Sequence, residues 1–70
     1  MNSVLYPVLK TESEYKRAVE IAEKEFGPNH IMVGDALVKL AEFYDRQGLR
    51  AEASYCDERI RIVLETYLST

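Results

Sequence analysis

The stretch ALVKLAEFYDRQGLRAEA (residues 36–53) decides the fold, because it carries two helical patterns separated by one glycine. On each side of Gly48, apolar residues recur three, four and seven positions apart, the spacing of one helix face. Gly48 predicts the end of the earlier helix, since glycine adopts the left-handed conformation without steric cost. A connection of only about three residues forces an antiparallel hairpin. The stripes are Val33, Leu37, Leu40, Ala41 and Tyr44 before the glycine, and Ala53, Cys56, Ile60, Val63, Leu64 and Tyr67 after it.

A further helix precedes this hairpin and is bounded by clear start and stop signals. Residues 11–14 (TESE) have the form of a capping box, with a hydroxyl at the N-cap and a carboxylate three residues later. Gly27 and Pro28 predict the end of this helix, and Asn29 is the predicted N-cap of the next one. The apolar stripe between these signals is Tyr15, Ala18, Val19, Ala22 and Phe26.

The chain therefore predicts an all-α fold, a single domain of 70 residues with three antiparallel helices. Helices are expected at about 12–26, 31–47 and 50–67, after an N-terminal segment at 1–10. No stretch shows the alternation and turn signals of strands. A domain of this size buries only about 60 % of the surface that its unfolded chain exposes, so its core is marginal.

The composition argues against several classes of function. The net charge of −3 comes from 9 basic and 12 acidic side chains that are intermingled, whereas nucleic-acid partners require a basic stripe. No window approaches the ~20 apolar residues of a membrane span, and the start lacks a signal peptide, so we expect a soluble, cytoplasmic chain with no membrane partner. One cysteine and one histidine cannot form a zinc set, and no nucleophile elbow or phosphate loop is present. We therefore expect no enzyme activity, no cofactor and no metal site.

Acidic and basic residues are paired at helical spacing along the whole chain. In five pairs the acid precedes the base by four residues, which is the favourable order on a helix. Each such pair contributes only a few tenths of a kcal/mol, so the pairs mainly indicate solvated helix faces. They are Glu12 with Lys16, Glu20 with Lys24, Asp35 with Lys39, Glu42 with Arg46, and Asp57 with Arg61.

Residues that could be catalytic or binding groups have structural interpretations. His30 lacks a second histidine or a carboxylate cluster, so we interpret it as a loop residue. Cys56 lies on an apolar stripe and is expected in the core rather than as a redox thiol. The tyrosines at helical spacing are interpreted as core packing rather than base stacking, and the glutamates of the first helix as a solvated face. These residues are Tyr15, Tyr44, Tyr55 and Tyr67, and Glu12, Glu14, Glu20, Glu23 and Glu25.

The sequence also contains an internal repeat. Sliding it along itself by 42 residues aligns the first helix with the third, with Arg17 on Arg59. The runs YKRAVEIAEKEFGPNH (15–30) and ALVKLAEFYDRQGLRAEA (36–53) resemble tetratricopeptide repeats (TPR), specifically the 42-residue kinesin light chain type. The resemblance covers residues 12–54 and implies a TPR-like fragment of an alpha-alpha superhelix, about one and a half repeats in the order helix B, helix A, helix B. The matching positions are Tyr15, Ala18, Leu37, Leu40, Ala41, Tyr44, Gly48 and Ala53.

The resemblance has departures and functional implications. Ile31 replaces a proline, Asp57 occupies an aromatic site and Ile60 a small-residue site. The family's function implies a non-catalytic protein–protein interaction module that binds a protein or peptide in a groove lined by helix A. An ordinary solvated helix face explains equally well the six positions of α-helical spacing that would line this groove. These positions are Asp35, Val38, Lys39, Glu42, Asp45 and Arg46.

The third helix carries more apolar residues than one stripe can bury. A repeat unit needs neighbours to cover its apolar face, so we expect an exposed interaction surface on this helix. A homo-oligomer, with a two-fold dimer favoured, or the next repeat of a longer array would cover that surface. The alternative function is therefore a small self-assembling structural protein whose oligomer is the functional unit. The residues expected on this face are Tyr55, Ile62, Tyr67 and Leu68.

Overall fold

The computed structural model describes residues 11–69 and contains three helices in that range, with no strand. They are α1 (Glu12–Phe26), α2 (Ile31–Gln47) and α3 (Arg50–Ser69). The all-α three-helix class is thus confirmed. The bounds of α1 and α2 coincide with the predicted ranges, whereas α3 continues two residues beyond the predicted end at 67.

The start of α1 is the capping box that the sequence indicates. The Glu14 backbone N–H donates to the Thr11 Oγ1 at 3.3 Å, and the Thr11 N–H donates to the Glu14 carboxylate at 3.1 Å. At the other end, the Gly27 N–H donates to the Glu23 carbonyl at 2.9 Å, and the positive φ of 97° explains the glycine there. Both ends of α1 are therefore set by local sequence.

The N-cap of α2 is His30, and the prediction of Asn29 in this role was wrong. The His30 Nδ1 accepts the Met32 backbone N–H at 3.0 Å. The imidazole also stacks on the ring of Phe26, with centroids 4.8 Å apart and an interplanar angle of 25°. This contact joins the end of α1 to the start of α2 and holds the imidazole at the cap position.

The turn between α2 and α3 is closed by backbone hydrogen bonds. Gly48 adopts the left-handed conformation, with φ 76° and ψ 17°. Its N–H donates to the Asp45 carbonyl at 3.1 Å, and the Leu49 N–H donates to the Tyr44 carbonyl at 2.9 Å. These two bonds form a Schellman motif, which satisfies carbonyls that the end of the helix leaves unpaired. The hairpin turn is therefore where the glycine predicts it.

Helix α2 is the central element and supplies most of the core. It packs against both α1 and α3, whereas no Cα of α1 lies within 8 Å of a Cα of α3 in the described residues. The contact of Glu12 with Tyr44 places the start of α1 beside the end of α2, so these helices run antiparallel, as α2 and α3 do. The buried hydrophobic residues are Val19, Val33, Leu37, Leu40, Ala41, Tyr44, Ala53, Cys56 and Val63.

The prediction of core tyrosines is correct for two residues and wrong for two. Tyr44 is buried, and Tyr15 packs against the core at 5.1 Å from the ring of Phe43. Tyr55 and Tyr67 are 64 % and 55 % exposed. Tyr55 is adjacent to the buried Cys56 and so lies off the face of α3 that packs on α2, and Tyr67 lies one turn beyond Val63, the last buried residue of the helix. Leu64 and Phe26, on the predicted stripes, are likewise exposed.

Helices α2 and α3 approach each other closely at Gly34. A Cβ at this position would lie 3.2 Å from the Cγ1 of Val63, which is tighter than ordinary van der Waals contact. Ala41 and Ala53, two of the small residues at positions that match the repeat, are also buried. Gly34 was not identified, although a glycine inside a helix costs about 1 kcal/mol relative to alanine and so calls for a packing reason.

Candidate functional site

The six residues implied as a peptide groove form one solvent-exposed face of α2. Asp35, Val38, Lys39, Glu42, Asp45 and Arg46 are all exposed and lie opposite the buried face of this helix. The Lys39 ammonium pairs with the Asp35 carboxylate at 3.0 Å. The Arg46 guanidinium, which was predicted to pair with Glu42, donates to the Tyr15 hydroxyl at 3.3 Å. None of the six lines the open cleft between α1 and α3.

The four residues expected on the self-association face are all exposed, but they do not form one strip. Tyr55 and Ile62 are seven residues apart and share one side of α3, since seven residues make two helical turns. Leu68, which is 79 % exposed, shares a different side with Leu64, four residues earlier. The second half of α3 therefore exposes apolar groups on several sides.

An open cleft of about 640 Å³ lies between α1 and α3, with α2 as its floor. It exists because α1 and α3 each pack on α2 without packing on each other. The floor is apolar, with Leu37, Leu40 and Tyr44 from α2. The wall residues are Glu12, Lys16, Val19, Glu20 and Glu23 of α1, and Ala51, Glu52, Tyr55, Cys56 and Arg59 of α3. We call this feature the α1–α3 cleft; sequence analysis did not find it.

Two polar contacts cross between helices at the α1–α3 cleft. The Arg59 guanidinium pairs with the Glu23 carboxylate at 2.6 Å, with the two side chains 26 % and 31 % exposed. The Tyr44 hydroxyl donates to the Glu12 carboxylate at 2.7 Å, and Lys16 lies 3.6 Å from the same carboxylate. These contacts join residues more than thirty positions apart in the chain. Sequence spacing along one helix could not have identified them.

The carboxylates of the α1–α3 cleft outnumber its cations. Four glutamates line the cleft, against one lysine and one arginine. Glu12 and Glu23 are held in the contacts described above. Glu20 on the α1 wall and Glu52 on the α3 wall are exposed, and neither forms an ion pair within residues 11–69. The cleft thus has a negative rim around an apolar floor.

Two buried groups beside the cleft have raised pKa values. Burial, then the hydrogen bond to Glu12 and the charge of that carboxylate, raise the pKa of Tyr44 to about 12. Burial, and to a smaller extent the nearby Asp57 carboxylate, also raises the pKa of the Cys56 thiol. A raised pKa keeps both groups neutral at pH 7, so Cys56 is a poor nucleophile. Its burial confirms the prediction that it is a core residue.

Two of the five predicted ion pairs are present as direct contacts, those of Glu12 with Lys16 and Asp35 with Lys39. On α3, Arg61 pairs with Glu58 and, at 2.8 Å, with Glu65 instead of with Asp57. Both glutamates raise the pKa of this exposed guanidinium through their hydrogen bonds. The residues of the five predicted pairs are exposed as predicted, although some partners differ. The prediction of a solvated face was wrong for Glu23, which is half-buried in its pair with Arg59.

The described part of the chain contains no group of three or more His, Cys, Asp or Glu side chains placed to hold a metal ion. None of its three helices has the length and apolar composition needed to cross a membrane. Comparison of the chain with protein-family models, with curated proteins and with solved structures finds no significant match in any of the three.

Proposed function

We propose that this chain is a non-catalytic protein-interaction module of the tetratricopeptide-repeat type. The observation that carries the proposal is the amount of apolar surface on α3. Of the ten large hydrophobic side chains that are exposed in the described residues, five belong to this helix, namely Tyr55, Ile62, Leu64, Tyr67 and Leu68. Apolar surface of this extent is typical of protein–protein contacts.

The geometry of the hairpin supports the repeat assignment. Ala41 and Ala53 are buried where α2 and α3 pack, and Gly48 forms the turn between them. All three are among the positions that match the repeat. In a repeat array, the apolar face of each hairpin is covered by the next one. We therefore propose that α3 packs against a following repeat or against an equivalent helical surface. Cys56, a single free thiol, is compatible with the proposed cytoplasmic location.

A second candidate function is a self-assembling oligomer, with a two-fold dimer favoured. The observation that favours it is the exposure of Leu64 and Leu68 near the end of α3, which are 43 % and 79 % exposed and share one side of the helix. A two-fold contact between these ends of α3 would bury apolar surface from both copies.

The two candidates are separated by sedimentation equilibrium of the full chain over a range of concentrations. Leu68→Lys should convert an oligomer to a monomer with its helicity retained, because the side chain is exposed and a cation near a helix C-terminus is favourable. Val38→Lys is the matched control, since it makes the same kind of change on the outer face of α2. A wild-type chain that is monomeric at high micromolar concentration would exclude the self-assembling oligomer.

The repeat assignment is tested by extending the chain. We would fuse a designed TPR capping helix after residue 70 and measure the free energy of unfolding. The added helix should cover α3 and raise this free energy by about 2 kcal/mol or more, since burying one large aliphatic side chain contributes about 1.5–3 kcal/mol. A fusion that is no more stable than the original chain would contradict stacking on α3.

A further inference from the structure

We infer that the α1–α3 cleft is a docking site for a short basic segment of a partner protein, with apolar residues between its cations. The inference rests on the proposed function as an interaction module and names the partner chemistry of a surface distinct from the exposed end of α3. It starts from the shape of the cleft. Its volume of about 640 Å³ lies within the range of about 300–1,000 Å³ that is usual for ligand pockets.

The length of the cleft suits a peptide rather than a small molecule. The α1 wall runs from Glu12 to Glu23, which corresponds to about 16 Å at a rise of 1.5 Å per residue. The opposite wall runs from Ala51 to Arg59 on α3. No Cα of α1 lies within 8 Å of a Cα of α3, so the channel between them is open except where the side chains of Glu23 and Arg59 pair across it. A segment of about three helical turns, or about five extended residues, would fill it.

The charges of the cleft determine which segment would bind. Any occupant removes water from the carboxylates on the two walls, and an uncompensated carboxylate is costly to desolvate. Glu23 and Glu12 already have cationic partners in Arg59 and Lys16, whereas Glu20 and Glu52 have none in the described chain. A lysine or arginine on each side of the segment would compensate these two carboxylates. An acidic or purely apolar segment would not.

The remaining exposed groups of the cleft fit the same partner. The ring of Tyr55, which is 64 % exposed, lines the α3 wall and offers an aromatic face to a guanidinium or ammonium group. The part of the apolar floor that Leu40 leaves accessible would contact the aliphatic stems of the cations and the apolar residues between them. The charges, the aromatic ring and the apolar floor of the cleft thus all favour a basic segment with apolar residues between its cations.

The test uses fluorescence anisotropy with the full chain and two labelled model peptides. One is an amphipathic peptide of leucine and lysine, and the other has glutamate in place of every lysine. We expect the lysine peptide to bind and the glutamate peptide not to bind. The double variant Glu20→Gln/Glu52→Gln should weaken binding of the lysine peptide about tenfold, since it removes two charge pairs. Tyr55→Ala should weaken it severalfold.

The matched control is Glu42→Gln/Asp45→Asn, which makes the same change in net charge on the outer face of α2. It should leave binding unchanged within about twofold, because these residues do not line the cleft. Equal losses of affinity for the lysine peptide in both double variants would show that surface charge attracts the peptide without a specific site, and this result would overturn the inference. It would also be overturned if the wild-type chain bound neither peptide or bound both equally.

Other occupants of the cleft give different results. If a second copy of the chain or residues 1–10 filled the cleft, the wild-type chain would not bind the lysine peptide. Sedimentation of Glu20→Gln/Glu52→Gln then separates these two occupants, because only loss of a second copy would change the sedimentation of the chain. Self-association through α3 is measured separately with Leu68→Lys. Failure of the cleft inference is therefore distinguishable from failure of the proposed function.

Discussion

The substitution Gly34→Ala tests whether contact between α2 and α3 sets their separation. Two opposing effects are expected at this buried position. In a helix interior, alanine is more favourable than glycine by about 1 kcal/mol. The new methyl group would lie 3.2 Å from the Cγ1 of Val63, so the Val63 side chain must shift by a few tenths of an ångström. Overpacking of this kind costs about 1–3 kcal/mol.

The cost of overpacking should be larger than the gain in helix propensity, because the Val63 side chain cannot rotate out of the contact. It is 1 % exposed, and a β-branched side chain in a helix strongly prefers one χ1 rotamer. Taking about 2 kcal/mol for overpacking against about 1 kcal/mol for helix propensity, we expect Gly34→Ala to lower the free energy of unfolding by about 1 kcal/mol. Urea denaturation followed by far-UV circular dichroism measures this change. The m-value should stay constant.

A double-mutant cycle makes the prediction sharper. Val63→Ala removes the Cγ1 atom and should itself cost about 2 kcal/mol by loss of burial. In that background Gly34→Ala should become stabilising by about 1 kcal/mol, because only the helix propensity remains. All four proteins would be measured in the same concentration of trimethylamine N-oxide to keep them folded. A stabilising effect of Gly34→Ala in the wild-type chain would refute the reasoning, and so would equal destabilisation in both backgrounds.

Three further predictions concern polar contacts. Tyr44→Phe removes the 2.7 Å hydrogen bond to Glu12 and should lower the free energy of unfolding by about 1 kcal/mol at neutral pH. Folding raises the pKa of Tyr44 from 10.0 to about 12, so the wild-type chain should lose stability relative to Tyr44→Phe as the pH rises between these values. Urea unfolding at several pH values measures this difference, and parallel pH profiles of the two proteins would contradict the raised pKa. His30→Ala should lower the free energy of unfolding by about 1 kcal/mol through loss of the N-cap. His30→Asn should lower it much less, because an amide oxygen can accept the same Met32 N–H. Equal losses of stability in thermal unfolding of the two variants would argue against capping by His30. A cycle of Glu23→Gln and Arg59→Gln should show a coupling of about 0.5–1 kcal/mol that decreases with added salt, and additive effects would mean that this half-buried pair contributes nothing measurable.

Local sequence determined the helices and the places where they end. The capping box at Thr11 and the turn at Gly48 depend on residues within five positions of each other, so their hydrogen bonds follow from the sequence around them. Helical periodicity likewise predicted the inward face of α2, and Leu37 and Tyr44 are buried accordingly. At Asn29 and His30 this reasoning failed. Both side chains can cap a helix, and the stacking of Phe26 on the imidazole was not visible in the sequence.

Only the tertiary structure decided which part of each apolar stripe is covered and where a partner could bind. Periodicity defines the face of a helix, but not how far its neighbour extends, so Tyr67 fell on a predicted stripe and is exposed. The pair of Glu23 with Arg59 and the α1–α3 cleft depend on the lateral spacing of two helices whose backbones do not pack against each other. That spacing follows from how each packs on α2, including the close contact at Gly34. Such packing joins residues far apart in the chain, and no local pattern encodes it.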